Sequence, residues 1–157
     1  MTATESAPRL SALWLAARPS QLALIGLVYV LGVGTARVLE PTVTLPWVSA
    51  GVGLGALVPV AAAVHYANEY ADAATDRLTE RTPFSGGSGA LVRTGVERSL
   101  LARASGGSLV GGAAVTAVGW RAGHLSATAV GLLAAIGVAG LLYSLPPVAL
   151  IRRGVGE

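Results

Sequence analysis

The sequence predicts an all-α integral membrane protein with about four transmembrane helices. Of its 157 residues, 53% are hydrophobic and 12% are charged, and the mean hydropathy is +0.64. Soluble globular domains carry about 25% charged residues, so this composition lies outside their range. Long apolar runs also alternate with polar breaks. That arrangement is typical of helices that cross a hydrocarbon core of about 30 Å.

Four apolar runs that lack Asp, Glu, Lys and Arg define the predicted transmembrane helices. The first, residues 19–36, opens on Pro19, which fits a first helical turn because its missing N–H would have no partner there. The second covers residues 45–67, the third residues 104–120 and the fourth residues 125–145. Crossing the bilayer core takes about 20 residues, within a range of about 17–25. Each run is therefore long enough for one crossing.

Polar segments separate these runs. Residues 1–17 form a polar lead-in to the first helix, and Arg37 with Glu40 marks the break before the second. A longer loop covers residues 68–98. Near its end, residues 94–97 read Thr-Gly-Val-Glu, which matches a capping box and predicts the start of the third helix. This loop is the part of the chain that packing alone does not explain.

The distribution of arginine predicts the orientation in the membrane. With the N-terminus in the cytoplasm, the outer loops hold two arginines, Arg37 and Arg121, while the inner segments hold the other nine. This asymmetry follows the positive-inside rule. We therefore expect a multi-pass protein of the cell membrane, with the N-terminus and the 68–98 loop in the cytoplasm. The arginines are scattered between apolar runs rather than clustered, so nucleic acid is not an expected partner.

Three polar residues at intervals of four begin the 68–98 loop: Asn68, Asp72 and Asp76. On a helix they share one face, with neighbouring Cβ atoms roughly 5–6 Å apart. An amide and two carboxylates are the hard oxygen ligands that Mg²⁺ prefers. Arg81 follows, with a guanidinium suited to phosphate oxygens, and a glycine-rich stretch, residues 85–89, allows close approach of the backbone to a ligand. Together they predict a metal-bridged phosphate ester. For the two aspartates alone, a solvated helix end is an equal alternative.

The residues next to these three are predicted to have structural roles and not to bind the metal. Glu69 lies about 100° from Asn68 in helical geometry, so it is left outside the predicted metal site. His65 is interpreted as a histidine that packs between helices. Tyr66 and Tyr70 are interpreted as anchors at the membrane interface, where tyrosine is common.

Residues at five places form a wider pattern: Asn68-Glu69-Tyr70-Ala71-Asp72 with Asp76, Arg81-Thr82, Ser88-Gly89, Arg18-Pro19, and Tyr143-Ser144 before Pro146-Pro147. This pattern resembles the N-terminal half of the UbiA superfamily of intramembrane prenyltransferases. The resemblance extends over nearly the whole chain. The form of the acidic motif is similar to the branch that prenylates 1,4-dihydroxy-2-naphthoate in menaquinone biosynthesis. On this basis residues 1–157 are expected to form part of a UbiA-like helical bundle.

The resemblance implies Mg²⁺-dependent transfer of an isoprenyl group from its diphosphate to an aromatic or other lipid-precursor acceptor, as in the biosynthesis of quinones or prenyl lipids. It implies roles for eight residues: Asn68, Asp72 and Asp76 as metal ligands, Arg81, Arg18 and Arg152 as phosphate-binding cations, and Tyr143 and Ser144 near the reacting carbon and the acceptor. Asp72, Asp76 and Tyr143 would be the catalytic residues.

One departure from the family's pattern leaves alternatives open. The family carries a second aspartate-rich motif in its C-terminal half, whereas this sequence has no aspartate after Asp76. We therefore expect an incomplete enzyme that works with a C-terminal half or a second chain. The alternatives are a non-catalytic membrane subunit or remnant, and a subunit of a small helical transporter. The transporter alternative leaves Arg81 and its loop unexplained.

Overall fold

The computed structural model describes residues 3–42, 44, 46–73 and 87–154. Within these ranges all the regular secondary structure is helical and there are no strands, which confirms the predicted all-α class. The helices are α1 (Ala3–Ala16), α2 (Pro19–Leu39), α3 (Trp47–Asp72), α4 (Ala90–Thr94), α5 (Ser99–Arg121) and α6 (Ala127–Ser144), followed by a short 3₁₀ helix (Leu150–Arg153).

Three of these helices, α2, α3 and α6, are long and apolar enough to cross a membrane. The helix α5 has 23 residues, which corresponds to a length of about 34 Å. It is less apolar than the other three because its first turns carry Arg103 and its last residue is Arg121. The structure thus supports three spans by length and composition, and α5 matches the position of the third predicted run.

The helix α3 lies at the centre of the bundle. It packs most extensively against α5, then against α6, and also contacts α2 and α1. Glycine permits two of these close approaches. A Cβ atom at Gly112 of α5 would lie 2.9 Å from Val60 Cγ2, and one at Gly140 of α6 would lie 2.6 Å from Val64 Cγ2. Small residues on α5 and α6 therefore accommodate branched residues of α3, a packing mode that is common between membrane helices.

The helix α2 is the most peripheral of the apolar helices. None of its residues is buried, and Leu24 and Leu31 are among its exposed side chains. Tyr29 attaches it to α3 by donating a hydrogen bond of 2.9 Å from its hydroxyl to the carbonyl oxygen of Ala50. An apolar surface of this size, with almost no charge, is suited to contact with lipid.

Residues 3–16 form a packed helix rather than only the polar lead-in that the sequence predicts. Ala12 and Ala16 of α1 are completely buried, and Ala16 belongs to a small core with Ala90 and Leu101. The two alanines are four residues apart, which places them on one face of the helix. This buried face is not evident from the sequence because small residues give a weak hydrophobic signal.

The predicted capping box at residues 94–97 is wrong. Thr94 ends α4 instead, where its hydroxyl donates a hydrogen bond of 2.6 Å to the carbonyl oxygen of Ala90. Gly95 follows with a φ of 69°, a left-handed conformation that terminates a helix. The helix α5 begins at Ser99, and its N-cap residue, Arg98, makes no capping hydrogen bond with its side chain.

Candidate functional site

The candidate site lies on one face at the C-terminal end of α3. The arginine distribution predicts that this end faces the cytoplasm. The helix continues to Asp72, five residues beyond the predicted span, so Asn68 and Asp72 lie one turn apart on the same helix. At 3.6 residues per turn, His65, Asn68, Glu69 and Asp72 fall within an arc of about 100°. They form a single polar face.

Glu69 is excluded from the predicted metal site, and the structure places it on the same polar face as Asn68 and Asp72. Glu69 lies about 100° from Asn68 but only about 60° from Asp72 in helical geometry, so it belongs to the same face. Its side chain is 2% exposed. Burial of a carboxylate this deeply is costly unless charged or polar partners surround it.

Two residues from distant parts of the chain supply the partners of Glu69. Arg18 Nη2 lies 3.3 Å from Glu69 Oε2 and forms a salt bridge with it. Ser88 donates twice, from its backbone N–H to Oε2 at 2.9 Å and from its hydroxyl to Oε1 at 2.7 Å. The carboxylate thus connects the α1–α2 junction and the loop before α4 to the end of α3.

Arg18 adopts an unusual backbone conformation between α1 and α2. Its φ and ψ are 51° and 68°, in the left-handed region. Pro19 disfavours the right-handed helical conformation at the preceding residue, and the left-handed conformation of a non-glycine residue costs on the order of 1–3 kcal/mol. The junction therefore bends sharply at the residue whose side chain binds Glu69.

Two buried nitrogen atoms near this face have no hydrogen-bond partner among the residues that the structure describes. They are Arg18 Nε and His65 Nε2. A buried donor or acceptor without a partner costs about 1–3 kcal/mol, so such atoms indicate a place where a ligand or water would be stabilised. The histidine lies one turn before Glu69 and is partly buried in the bundle, as its packing interpretation requires.

The loop of residues 87–89 is shaped by glycine. Gly89 has a φ of 72° and serves as the N-cap residue of α4. Ser88 precedes it, and its hydroxyl oxygen accepts a hydrogen bond of 3.1 Å from the backbone N–H of Ala90 while it donates to Glu69. The predicted glycine-rich loop thus directs both a backbone N–H and a hydroxyl group towards α3.

The end of α6 also reaches the polar face. Ser144, the last residue of α6, is 2% exposed and donates a hydrogen bond of 2.9 Å to Oδ1 of Asn68. Tyr143 precedes it and is partly buried. The structure therefore brings together Asn68 and Ser144, two of the predicted site residues, although 76 positions separate them.

The remaining predicted site residues differ in how far the structure describes them. Asp72 is partly buried at the last position of α3. Arg152 lies in the 3₁₀ helix, where only its backbone is described. Asp76 and Arg81 lie outside the described residues, so their predicted roles stay predictions.

Two described side chains of the polar face, Asn68 and Asp72, carry oxygen donors of the kind that Mg²⁺ prefers. Asn68 Oδ1 accepts one hydrogen bond, from Ser144, and a carbonyl oxygen has a second lone pair for a cation. The carboxylate of Asp72 lies one turn further along α3. Within the described ranges, no group of three His, Cys, Asp or Glu side chains could hold a metal. Two oxygen donors fit Mg²⁺, which usually keeps several waters and shares its ligation with substrate phosphates.

Both tyrosines that flank this face have specific contacts. The Tyr66 hydroxyl donates a hydrogen bond of 3.3 Å to the carbonyl oxygen of Leu13 in α1. The guanidinium of Arg98 lies 5.1 Å from the centre of the Tyr70 ring, a distance that permits a cation–π interaction. These tyrosines thus contact neighbouring elements of the protein, and their predicted role as anchors at the membrane interface stays a prediction.

An apolar cavity of about 420 Å³ lies between α3, α5 and α6. Its walls include Val60, Leu133 and Leu141. Thr116 also lines it, but the hydroxyl of this residue donates a hydrogen bond of 2.7 Å to the carbonyl oxygen of Gly112. Val60 lies eight residues before Asn68, about 12 Å along α3. The cavity therefore contacts α3 well before the polar face, and along α6 it extends to Leu141, close to Ser144.

Comparison of the chain with protein-family models, with curated proteins and with solved structures finds no match. The residues of the site are therefore characterised by their own chemistry and geometry. They define a helical protein in which three helices are long and apolar enough to cross a membrane and a polar cluster lies at one end of the central helix.

Proposed function

We propose that this chain is part of a UbiA-like membrane prenyltransferase that transfers an isoprenyl group from its diphosphate to an aromatic or other lipid-precursor acceptor. In this proposal α5 is a fourth span, the bundle is UbiA-like, and the N-terminus and the 68–98 loop face the cytoplasm. The observation that carries it is the hydrogen bond between Ser144 and Asn68. It assembles two separate parts of the motif pattern at one end of the bundle.

The arrangement of polar and apolar surfaces also supports the proposal. The polar face presents an amide at Asn68, a carboxylate at Asp72 and, close by, the guanidinium of Arg18. The apolar cavity extends to Leu141, one helical turn before Ser144. An isoprenyl diphosphate has a charged head and an apolar tail, so its two parts match these two neighbouring surfaces.

Each residue of the proposed site has a separate chemical task. When bound by Asn68, Asp72 and Asp76, Mg²⁺ would neutralise the charge that develops on the departing diphosphate. The cations Arg18, Arg81 and Arg152 would bind the phosphate oxygens, as guanidinium groups do in bidentate geometry. Tyr143 and Ser144 would orient the acceptor near the reacting carbon. The apolar cavity would keep water from the cationic fragment of the donor.

The proposal includes a partner and a pathway class. These 157 residues contain no second aspartate-rich motif, so we propose that another segment or a second chain supplies it. The likeness of the acidic motif to the dihydroxynaphthoate branch suggests menaquinone biosynthesis as the setting.

The test is binding of a long-chain isoprenyl diphosphate to the protein in phosphatidylcholine nanodiscs containing Mg²⁺. We expect Asp72→Asn and Asp76→Asn each to weaken binding by at least about tenfold, equivalent to about 1.4 kcal/mol. Glu97→Gln, which removes an exposed carboxylate on the same side of the protein, is the matched control and should leave binding unchanged. Equal binding by all three variants would refute the proposal. Ion or solute flux in liposomes without diphosphate binding would favour the transporter alternative.

A further inference from the structure

We propose that Arg18 and Ser88 form a phosphate-binding subsite that the Glu69 carboxylate occupies until a phosphate group displaces it. The inference rests on the proposed function in one respect, since it names a second contact point for a diphosphate at the same end of α3. It assigns Ser88 and Glu69 roles that the sequence pattern does not. The ligand chemistry is that of a phosphate monoester or diphosphate oxygen.

The donors around Glu69 are those that bind phosphate elsewhere. A guanidinium nitrogen of Arg18, the backbone N–H of Ser88 and the hydroxyl of Ser88 all donate to one carboxylate, at 3.3, 2.9 and 2.7 Å. Guanidinium groups and backbone N–H groups next to glycine are recurrent ligands of phosphate oxygens. Gly89, with its φ of 72°, sets the direction of this loop. The carboxylate therefore occupies a site whose donors suit a larger anion.

The contact between Arg18 and Glu69 is incomplete. Nε and Nη2 form one edge of a guanidinium group, and an ideal carboxylate partner accepts from both. Here only Nη2 is engaged, and Nε is buried without a partner among the described residues. Glu69 Oε2 is shared between Arg18 and the backbone of Ser88. A phosphate group has more acceptor oxygens than a carboxylate, so it can satisfy Nε as well.

The burial of Glu69 distinguishes this arrangement from an ordinary surface ion pair. The carboxylate is 2% exposed, while the Arg18 side chain is 19% exposed. The cation thus remains accessible from outside while the internal anion is covered. This geometry allows an incoming anion to reach Arg18 first and to replace Glu69 afterwards.

If Glu69 competes with an external anion for Arg18 and Ser88, neutralising Glu69 should strengthen anion binding. Glu69→Gln retains a side-chain oxygen that can accept from Ser88, but it removes the negative charge that holds Arg18. If the carboxylate is a competitor, the fraction of protein able to bind an anion rises, and the apparent affinity rises with it. If Glu69 only supports the fold, the same substitution leaves the affinity unchanged or lowers it.

The experiment measures calorimetric binding of inorganic pyrophosphate, without divalent cations, to the full chain in phosphatidylcholine nanodiscs. We expect Glu69→Gln to tighten binding by about fivefold or more and Ser88→Ala to weaken it. Glu97→Gln, which removes one negative charge elsewhere, should leave it unchanged. Thermal unfolding identifies any variant that is not folded. If Glu69→Gln is not folded, Glu69→Asp replaces it in the test. This variant keeps the charge on a shorter side chain, and we expect it to tighten pyrophosphate binding as well. Unchanged or weaker binding by the folded Glu69 variant overturns the proposal.

Two further measurements complete the test. The first distinguishes a lipid phosphate from a soluble one, and the second distinguishes failure of the subsite from failure of the proposed transferase function. If nanodiscs containing phosphatidic acid reduce pyrophosphate binding and Ser88→Ala removes that competition, the subsite accepts a lipid headgroup. Without competition, it accepts the soluble diphosphate. Pyrophosphate binding is measured here without divalent cations, so it does not require Mg²⁺ at the proposed metal site. If Glu69→Gln tightens pyrophosphate binding but the protein shows no Mg²⁺-dependent binding of isoprenyl diphosphate, the subsite is retained and the transferase proposal is rejected. If isoprenyl diphosphate binding depends on Mg²⁺ but Glu69→Gln does not tighten pyrophosphate binding, only the subsite is rejected.

Discussion

Ser144 donates a hydrogen bond of 2.9 Å to the side-chain oxygen of Asn68, across the contact between α6 and α3. The serine is 2% exposed and the asparagine is partly buried. This bond fixes the orientation of the Asn68 amide and leaves one lone pair of its oxygen for another ligand. It also places the end of α6 directly beside the polar face of α3.

Replacing Ser144 by alanine should weaken both the fold and the site. Loss of the hydrogen bond is expected to lower the free energy of unfolding by about 0.5–1.5 kcal/mol and to reduce Mg²⁺-dependent binding of an isoprenyl diphosphate. Ser126→Ala is a matched control at the other end of α6, where the Ser126 hydroxyl accepts from the N–H of Ala129 at 3.1 Å. It should cost a similar free energy, about 1 kcal/mol, without changing ligand binding. Equal effects of both substitutions on binding would show that Ser144 has no special position.

The Arg18–Glu69 pair should show strong energetic coupling. Glu69→Leu leaves the guanidinium of Arg18 without its partner and is expected to lower the free energy of unfolding by about 3–5 kcal/mol. Arg18→Met in the same protein should recover a large part of that loss, since it removes the unpaired charge. Unfolding of the single and double variants in mixed micelles measures the coupling. Additive losses would contradict it, and Glu97→Leu, at an exposed position, should stay within about 0.5 kcal/mol.

The close contact of α6 with α3 should make Gly140 intolerant of even one methyl group. A Cβ atom there would lie 2.6 Å from Val64 Cγ2, whereas one at Gly131 of the same helix meets no atom within 4 Å. We expect Gly140→Ala to lower the free energy of unfolding by about 1–3 kcal/mol and Gly131→Ala to preserve or raise it. Thermal unfolding in detergent compares the two directly. Similar stability of both variants would contradict the packing of α6 on α3.

The orientation of the spans can be tested with single cysteines, since these 157 residues contain none. If α5 crosses the membrane as proposed, Glu97→Cys lies on the cytoplasmic side and Ala122→Cys on the outer side. Both positions are exposed. A membrane-impermeant maleimide should label intact cells at position 122 and label position 97 only after permeabilisation. Labelling of both positions from the same side would show that α5 does not cross.

Much of the fold follows from the sequence because apolar runs of membrane length are a strong signal. Three of the predicted runs correspond to α2, α3 and α6, and the third run, residues 104–120, lies within α5. The small helix α1 was missed because it packs through Ala12 and Ala16, whose small side chains hardly alter a hydropathy profile.

The site was predictable only in part. The spacing of Asn68 and Asp72 places them one turn apart on a helix, and both lie on α3. Glu69 lies about 100° from Asn68 but within the arc of the whole face, so helical geometry indicates its position and not its partners. Its contacts with Arg18, 51 positions away, and with Ser88 depend on tertiary packing, which local spacing does not reveal.

The most direct test of the proposed function is the metal dependence of ligand binding by the unmodified protein. The protein in phosphatidylcholine nanodiscs is stripped of divalent cations with EDTA and titrated with a long-chain isoprenyl diphosphate, before and after Mg²⁺ is restored. We expect binding to strengthen at least about tenfold with Mg²⁺, and Asp72→Asn to remove this gain. The same affinity with and without Mg²⁺, or no affinity in either state, would contradict the account.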